Sequence, residues 1–427
     1  MKINLLTVFR AKILLLFIFS FFSNEVKSEG TKSVWKNFTG LGTGNESGGL
    51  LVNFITDPVN GAYPAYTFNS TSDERLYIHI KDFTTESIKF GFNVRRLWFN
   101  DCNNVPTVNG DYTNTNTGGR RVHWRLKDPD GNVVATSGAS GIPYWNGGTT
   151  TSTTAGFIGS YNEAVNGPDG YNGVGTSGYT PLTHNPTKNG DYYFEFNYNS
   201  NTTMFNNSGC TWATIAFNYF DISVAKGTAT INGRLWSRQW SLATVNRAPN
   251  AGTLSENSSK FHVYTSDSII TKIELDKVVP GYFNVIANEN GVGTTGNFAN
   301  DSKSTTSPAT KLNRKNRIFL NTPDTTIYPA RALTKSVSPA FIQRCSRDDQ
   351  CIVVELNRAS NANLFLEING VPGYQSSSSD RLISATSLSK GANCISWDGR
   401  DGNGNYVADG DTIYIQVLFE SNVTQVP

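Results

Sequence analysis

The sequence predicts an all-β protein: three consecutive β-sandwich domains of Ig-like or jelly-roll-like type behind a signal peptide. Three observations carry that expectation. No stretch after residue 28 sustains the 3.6-residue apolar period of an amphipathic helix; short runs rich in Val, Ile, Tyr, Phe and Trp recur instead between Gly, Asn and Pro turns. Charged residues make up only 16% of the chain, against about 25% in an average globular protein, so polarity rests on amides and hydroxyls that favour turns. Aromatic residues reach 12%, enough to fill real cores and to exclude disorder.

The first 28 residues stand apart. Lys2, Arg10 and Lys12 precede the apolar run 13–22 (ILLLFIFSFF), and a polar stretch follows. Val26 and Ser28 suit positions −3 and −1 of an export signal cleaved after Ser28. As a helix the run reaches only ~15 Å, about half a bilayer core, so the mature chain is expected to hold no transmembrane segment. Removing residues 1–28 takes four basic residues and one acidic, leaving 32 basic against 33 acidic. That near-neutral balance excludes a basic nucleic-acid binder. Outside the cytosol the five cysteines are read as structural, with Cys102–Cys210 and Cys345–Cys351 as the expected disulfides and Cys394 left free.

The first domain, 29–226, contains the strand-like runs 74–83, 87–94, 121–128, 190–199 and 211–225. Within it RLKDPDGNVVA reads as a hairpin, since Pro129 presets φ and Asp130-Gly131-Asn132 supplies turn residues. Residues 137–188 read as a long Gly-, Thr-, Asn- and Tyr-rich loop. The middle domain, 227–339, has the runs 231–243, 259–266, 268–278 and 281–288, then a weakly patterned segment and a Pro-punctuated stretch. The third, 340–427, repeats the rhythm in 351–358, 363–370, 380–388, 392–399 and 411–420.

Catalytic signatures are absent from the sequence. Residues 173–178 and 291–296 both fit G-x-G-x-x-G, but neither opens a helix, as a phosphate site requires. His79, His123 and His262 sit inside strand-like runs, His184 in the loop, and neither H-E-x-x-H nor G-x-S-x-G occurs. No cofactor is expected. The acidic segment 397–411 departs from a calcium loop, with Tyr406 where Gly is needed and Thr412 in place of Glu. A turn accounts for it, with Gly402 and Gly404 supplying positive φ. Ca²⁺ remains an alternative at the Asn/Asp-rich loops 109–117 and 162–172, through backbone oxygens. The most function-like feature is the aromatic set of the long loop. Tyr144, Trp145, Tyr161, Tyr171 and Tyr179 lie amid Gly, Asn and Asp, where flat rings stack on a ligand and amides satisfy its hydroxyls. The competing expectation is that these rings fold back and pin the loop.

ANLFLEING and ANCISWDGRDGNGNYVADGDTIYIQV carry a family likeness. Trp397, Asp398, Gly399, Asp401, Gly404, Val407, Gly410 and Tyr414 resemble the corresponding positions of the Ig-like domain of flagellar hook-capping proteins, found on bacterial surface proteins. The resemblance implies that Trp397 plugs the sandwich, that Gly399 and Gly410 make tight turns, and that the domain packs and spaces. ERLYIHIKDFTTESIKFGFN, GRLWSRQWSLAT and IELDKVVPGYFNVIANENGVG are more loosely similar to exported surface proteins of gliding bacteria that use type IX secretion. Asp267-Ser268-Ile269, Asp324-Thr325-Thr326 and Asp411-Thr412-Ile413 resemble O-glycosylation sites of such bacteria. The implied protein is a non-enzymatic structural or adhesive component of the cell surface or outer membrane, or an extracellular one. It would be a part or cargo of the gliding-motility apparatus, with other envelope proteins and glycans as partners. The alternative is a secreted carbohydrate-binding protein or polysaccharide hydrolase with accessory β-sandwich modules.

Overall fold

The computed structural model describes residues 28–34, 47–53, 65–68, 70–100, 108–111, 122–139, 141–142, 154–197, 212–245, 258–276, 282–288, 314–331, 333–344 and 350–420. Among the described residues 50% are strand and 4% helix, which settles the all-β class. The described residues divide into two compact units, 28–266 with 270–329 and 330–420 with 267–269.

Two eight-stranded antiparallel sheets build the first unit. One runs in the order β15 (Tyr282–Ile286), β12 (Gln239–Val245), β1 (Ser47–Asn53), β9 (Trp212–Lys226), β3 (Glu86–Asn100), β4 (Val108–Asp111). On it, β10 (Ala229–Ile231) pairs with β9 and β7 (Leu182–His184) with β3. The other runs β14 (Ile270–Asp276), β13 (Ser258–Tyr264), β16 (Arg317–Phe319), β11 (Leu235–Ser237), β2 (Leu76–Ile80), β8 (Gly190–Asn197), β5 (His123–Lys127), β6 (Val133–Thr136). Inward residues of both sheets meet in one core. Phe90 and Phe92 of β3 and Phe217 of β9 meet Phe194 and Phe196 of β8 edge-on or tilted, at centroid distances of 4.9–5.9 Å. Such contacts add to the burial of rings this large. Trp240 is wholly buried and donates Nε1–H to the Ile318 carbonyl at 2.8 Å.

The expected boundary at 227 does not separate two domains. Strand β12 pairs with β1, with Leu50 opposite Leu242, and β11 pairs with β2, with Trp236 opposite Tyr77. Strands from beyond 227 thus complete both sheets, and Trp240, Val263 and Ile318 share a core with Phe90 and Phe194. The reason is physical: a strand's alternation specifies a buried face and is silent about which distant strand lies beside it. Hairpin β5–β6 forms as its sequence predicts. Gly131 at φ 86° and the Asp128 carboxylate, which accepts from the Asp130 and Asn132 amides, close its turn. Strand β8 is covered on its outer side too, by stacking of Tyr77 on Trp236 at 4.2 Å beside Tyr193, Phe319 and Tyr328.

The second unit has two three-stranded sheets, β17 (Phe341–Arg344), β18 (Gln350–Leu356), β21 (Gly391–Trp397) and β20 (Arg381–Leu388), β19 (Ser360–Glu367), β22 (Tyr414–Glu420). Their inward residues Ile352, Val354, Leu364, Leu366, Ile395 and Trp397 form its core, where Trp397 donates Nε1–H to the Arg400 carbonyl at 2.9 Å. Gly399 and Gly410 take φ of 70° and 99°. Gly404 has the expected positive φ, 84°. Gly402 is glycine for a different reason: a Cβ there would lie 2.1 Å from the Asp380 carbonyl oxygen.

The disulfide differs from the expected pairing. Cys351 bonds Cys394, with Cα atoms 5.3 Å apart. Strands β18 and β21 are adjacent, and Cys351 faces Ser396 while Val353 faces Cys394, so the two thiols are diagonal neighbours on one sheet face. Short sequence separation suggested Cys345–Cys351; strand pairing decides otherwise. Cys345 lies outside the described residues, as do Cys102 and Cys210.

Candidate functional site

The long loop is not structureless. Between 154 and 184 it makes a capped helical turn, two bridges to neighbouring backbone and strand β7. Helix α2 (Tyr161–Asn166) follows α1 (Thr31–Val34) in chain order. Ser160 caps it by accepting from the Glu163 amide at 3.3 Å, and the Glu163 carboxylate accepts from the Gly159 amide at 2.6 Å. Six residues are too few for a helical period to register in the sequence. After Gly178 the chain enters strand β7, not a helix, so 173–178 forms no phosphate cradle; the second Gly-rich motif lies outside the described residues. His184, expected in loop, belongs to β7.

Of the rings expected to bind a ligand, Tyr144 and Trp145 lie outside the described residues. The others fold back. Tyr161 packs half-buried on the main core. Tyr171 is half-buried with Lys89 Nζ 5.2 Å above its ring. Tyr179 is wholly buried with Ile158 and Ala164. It is therefore a packing residue, which corrects its reading as an exposed ring.

Tyr179 leads instead to a buried polar cluster. Its hydroxyl donates to Asp221 Oδ2 at 2.8 Å. Asp221 sits mid-strand in β9, and its Oδ1 accepts from Ser223 Oγ and the Glu29 backbone nitrogen, both at 2.8 Å. Asp221, Ser223, Glu29 and Tyr179 are all inaccessible to solvent. Burial pushes the Asp221 carboxyl up to about 7 against the pull of Ser223, Tyr179 and the Glu29 amide. Burial together with the Asp221 charge raises the Tyr179 phenol well above its usual range.

The Glu29 side chain points the other way, into the amides of Gly233, Arg234 and Leu235, accepting at 3.1 Å from Arg234 and 3.0 Å from Leu235. Burial pushes it up to about 7 although these three donors oppose the shift. Arg234 continues the chain of contacts. Its guanidinium forks onto both Glu86 oxygens at 3.2 and 3.3 Å and donates Nε–H to Asp324 at 2.8 Å. Glu86 also caps the amides of Lys81 and Asp82. The oxygens of Glu29, Glu86 and Asp221 in this hub are buried and engaged with the protein's own donors. Its chemistry is that of a fastening.

A partly exposed pair, His79 Nδ1 with Asp191 Oδ1 at 2.7 Å, joins adjacent strands β2 and β8. Among the described residues no three His, Cys, Asp or Glu gather to hold a metal ion. In 162–172 the carboxylates cap backbone: Glu163 as above, and Asp169 by accepting from Gly178 N at 2.9 Å. Most of 109–117 lies outside the described residues.

The hub was missed in the sequence, although a trace of it is there. Asp221 interrupts the apolar run TWATIAFNYFDISVA and Arg234 opens another, INGRLWS. A buried charge needs a partner, and the partners come from four other segments, at Glu29, Glu86, Tyr179 and Asp324. No protein-family model matches the chain, and neither a curated protein nor a solved structure matches it.

Proposed function

We propose that this chain is an exported structural or adhesive protein of the cell envelope that acts through its surfaces, as a component or cargo of the gliding and type IX secretion apparatus. One observation carries the reading: the outer face of the sheet β20–β19–β22. Leu382, Tyr414 and Leu418 are 44%, 66% and 54% exposed. Between them Phe365 lies opposite Leu382 and Gln416, with the Tyr374 ring 5.0 Å away. Asn363, Ser384 and Gln416 are interleaved with them on the same face. An exposed face that sets large apolar side chains among amides and hydroxyls is suited to contact with another protein. The export signal, the cross-strand disulfide and a domain rhythm like that of surface proteins agree with it.

The test is purification of the full chain from native membranes, followed by mass spectrometry. Co-purification with outer-membrane secretion or gliding subunits, lost in Tyr414→Ser with Leu418→Ser, is the expected result. A freely secreted monomer whose behaviour those changes leave untouched counts against it, and turnover of a polysaccharide by the purified protein overturns the non-enzymatic part.

A further inference from the structure

The Glu29 backbone nitrogen lies inside the fold, 2.8 Å from Asp221 Oδ1 and 3.1 Å from Ser223 Oγ. Its position is fixed from several sides. The Glu29 carbonyl accepts from Ile222 N at 3.0 Å. Gly30 lies so close to β9 that a Cβ would come within 2.1 Å of the Phe220 oxygen. Thr31 Oγ1 accepts from Phe220 N at 2.8 Å, and Ser259 Oγ donates to the Val34 carbonyl at 2.8 Å. The segment 28–34 is thus a plug bound on β9, at β11 and on β13.

Asp221 has no cationic side chain beside it among the described residues; its partners are two hydroxyls and one backbone nitrogen. A buried carboxylate with only neutral donors is costly, because a dipole does not repay the lost hydration of a full charge. The missing charge is one covalent step away. We propose that the chain is cut between Ser28 and Glu29, and that the α-ammonium released on Glu29 is the buried counter-ion of Asp221. This rests on the export reading above and adds the site at which the mature N-terminus is seated.

The step is hydrolysis. The Ser28 C–N bond to Glu29 breaks, water oxygen joins the Ser28 carbonyl as a carboxylate, and the Glu29 nitrogen keeps its proton and takes two more. Two of the three N–H bonds of the ammonium replace the single amide contact to Asp221 Oδ1 and Ser223 Oγ. The third faces the space that Ser28 leaves, bounded by the Val165 carbonyl and Gly167. Ser28 is itself buried at 1% exposure, so a peptidase cannot reach this bond in the folded unit and the cut precedes folding. Any residue retained before Glu29 keeps an amide there and leaves Asp221 without its counter-ion. Processing is thereby coupled to stability.

The experiment starts with the full chain in an exporting host and sequencing of the secreted product, which is expected to begin at Glu29 with a free amine. Chain 29–427 is then released from a removable fusion that leaves no extra residue and compared with chain 28–427. The extra Ser28 is expected to lower the folding equilibrium constant at least tenfold. Asp221→Asn is expected to weaken chain 29–427 by a similar factor while changing chain 28–427 far less. Should Asp221→Asn not fold, amine labelling serves instead: the Glu29 amine of chain 29–427 is expected to react at least tenfold more slowly folded than in denaturant. Retention of Met1 with no export overturns the export reading and this inference together. Export with a first residue other than Glu29, additive effects of Ser28 and Asp221→Asn, or a freely reactive amine overturns this inference alone.

Discussion

The two units hold themselves together by different means. The first buries ion pairs in its interior as well as carrying them on its surface. Arg234 with Glu86, and Arg125 Nε with Glu195 Oε2 at 2.5 Å, are ion pairs at 0–6% exposure, set where strands from distant parts of the chain meet. The second keeps its ion pairs at the surface, as with Arg381 and Asp398 at 28% and 47% exposure. It relies on a Trp-centred core, one cross-strand disulfide and the Asp380 carboxylate. The difference follows size. Large sheets enclose positions that no water reaches, so a charge there must be matched by the fold. A small sandwich has little interior to spend on charge and gains more from a covalent link.

The sharpest way to break this contrast is Arg234→Ala. It strands Glu86 and Asp324 in the interior, and a loss of about 3–5 kcal/mol is expected, read by denaturant unfolding and by loss of amide protection in β2 and β11. A loss below about 1 kcal/mol would mean that the hub is solvated and the comparison wrong.

In the second unit, Cys351→Ser with Cys394→Ser opens a link of sequence separation 43, for which loop entropy gives about 4 kcal/mol. Protection in β18 and β21 should fall, whereas Cys345→Ser should leave the Cys351–Cys394 bond intact in a mass-mapped digest.

Asp380 provides a smaller effect with a pH signature. Its carboxylate accepts from the amides of Ile368, Asn369 and Gln375 at 2.8–3.1 Å. Burial works to raise its pKa, but these amides and Ser378 hold it below the ordinary 3.8. The unfolded chain therefore takes up the proton first. The stability that Asp380 contributes is complete above its unfolded pKa and is lost as pH falls through the folded one. Asp380→Asn should cost about 2 kcal/mol at neutral pH and progressively less in acid; a pH-independent cost would show that the charge is irrelevant. Smallest of all, Glu274→Gln removes a carboxylate shared by Lys260 and Lys272 on exposed strands, and the thermal midpoint should not move.

Much of the fold is legible in the sequence alone. The runs 74–83, 87–94, 190–199 and 211–225 became β2, β3, β8 and β9, and DPDGN became the turn between β5 and β6. These signals are local: alternation sets a strand's faces, and Gly with Asp sets a turn. Strand partners were not legible. The boundary expected at 227 and the Cys345–Cys351 pairing both failed because they required knowing which strands lie side by side. Tyr179 failed likewise: its ring and loop location were visible in the sequence, but its burial against Ile158 depends on how the loop returns to β3.

By itself, then, the sequence determined the all-β class, most strands and the turns, because each depends on a few neighbouring residues and the steric limits of their backbone. Only the tertiary structure decided that strands on both sides of 227 share one core, that Cys394 is the partner of Cys351, and that Glu29, Asp221 and Arg234 meet in one buried hub. Those facts depend on long-range pairing, in which burial deprives charges of water and leaves each group to be satisfied by whatever distant segment the sheets bring beside it.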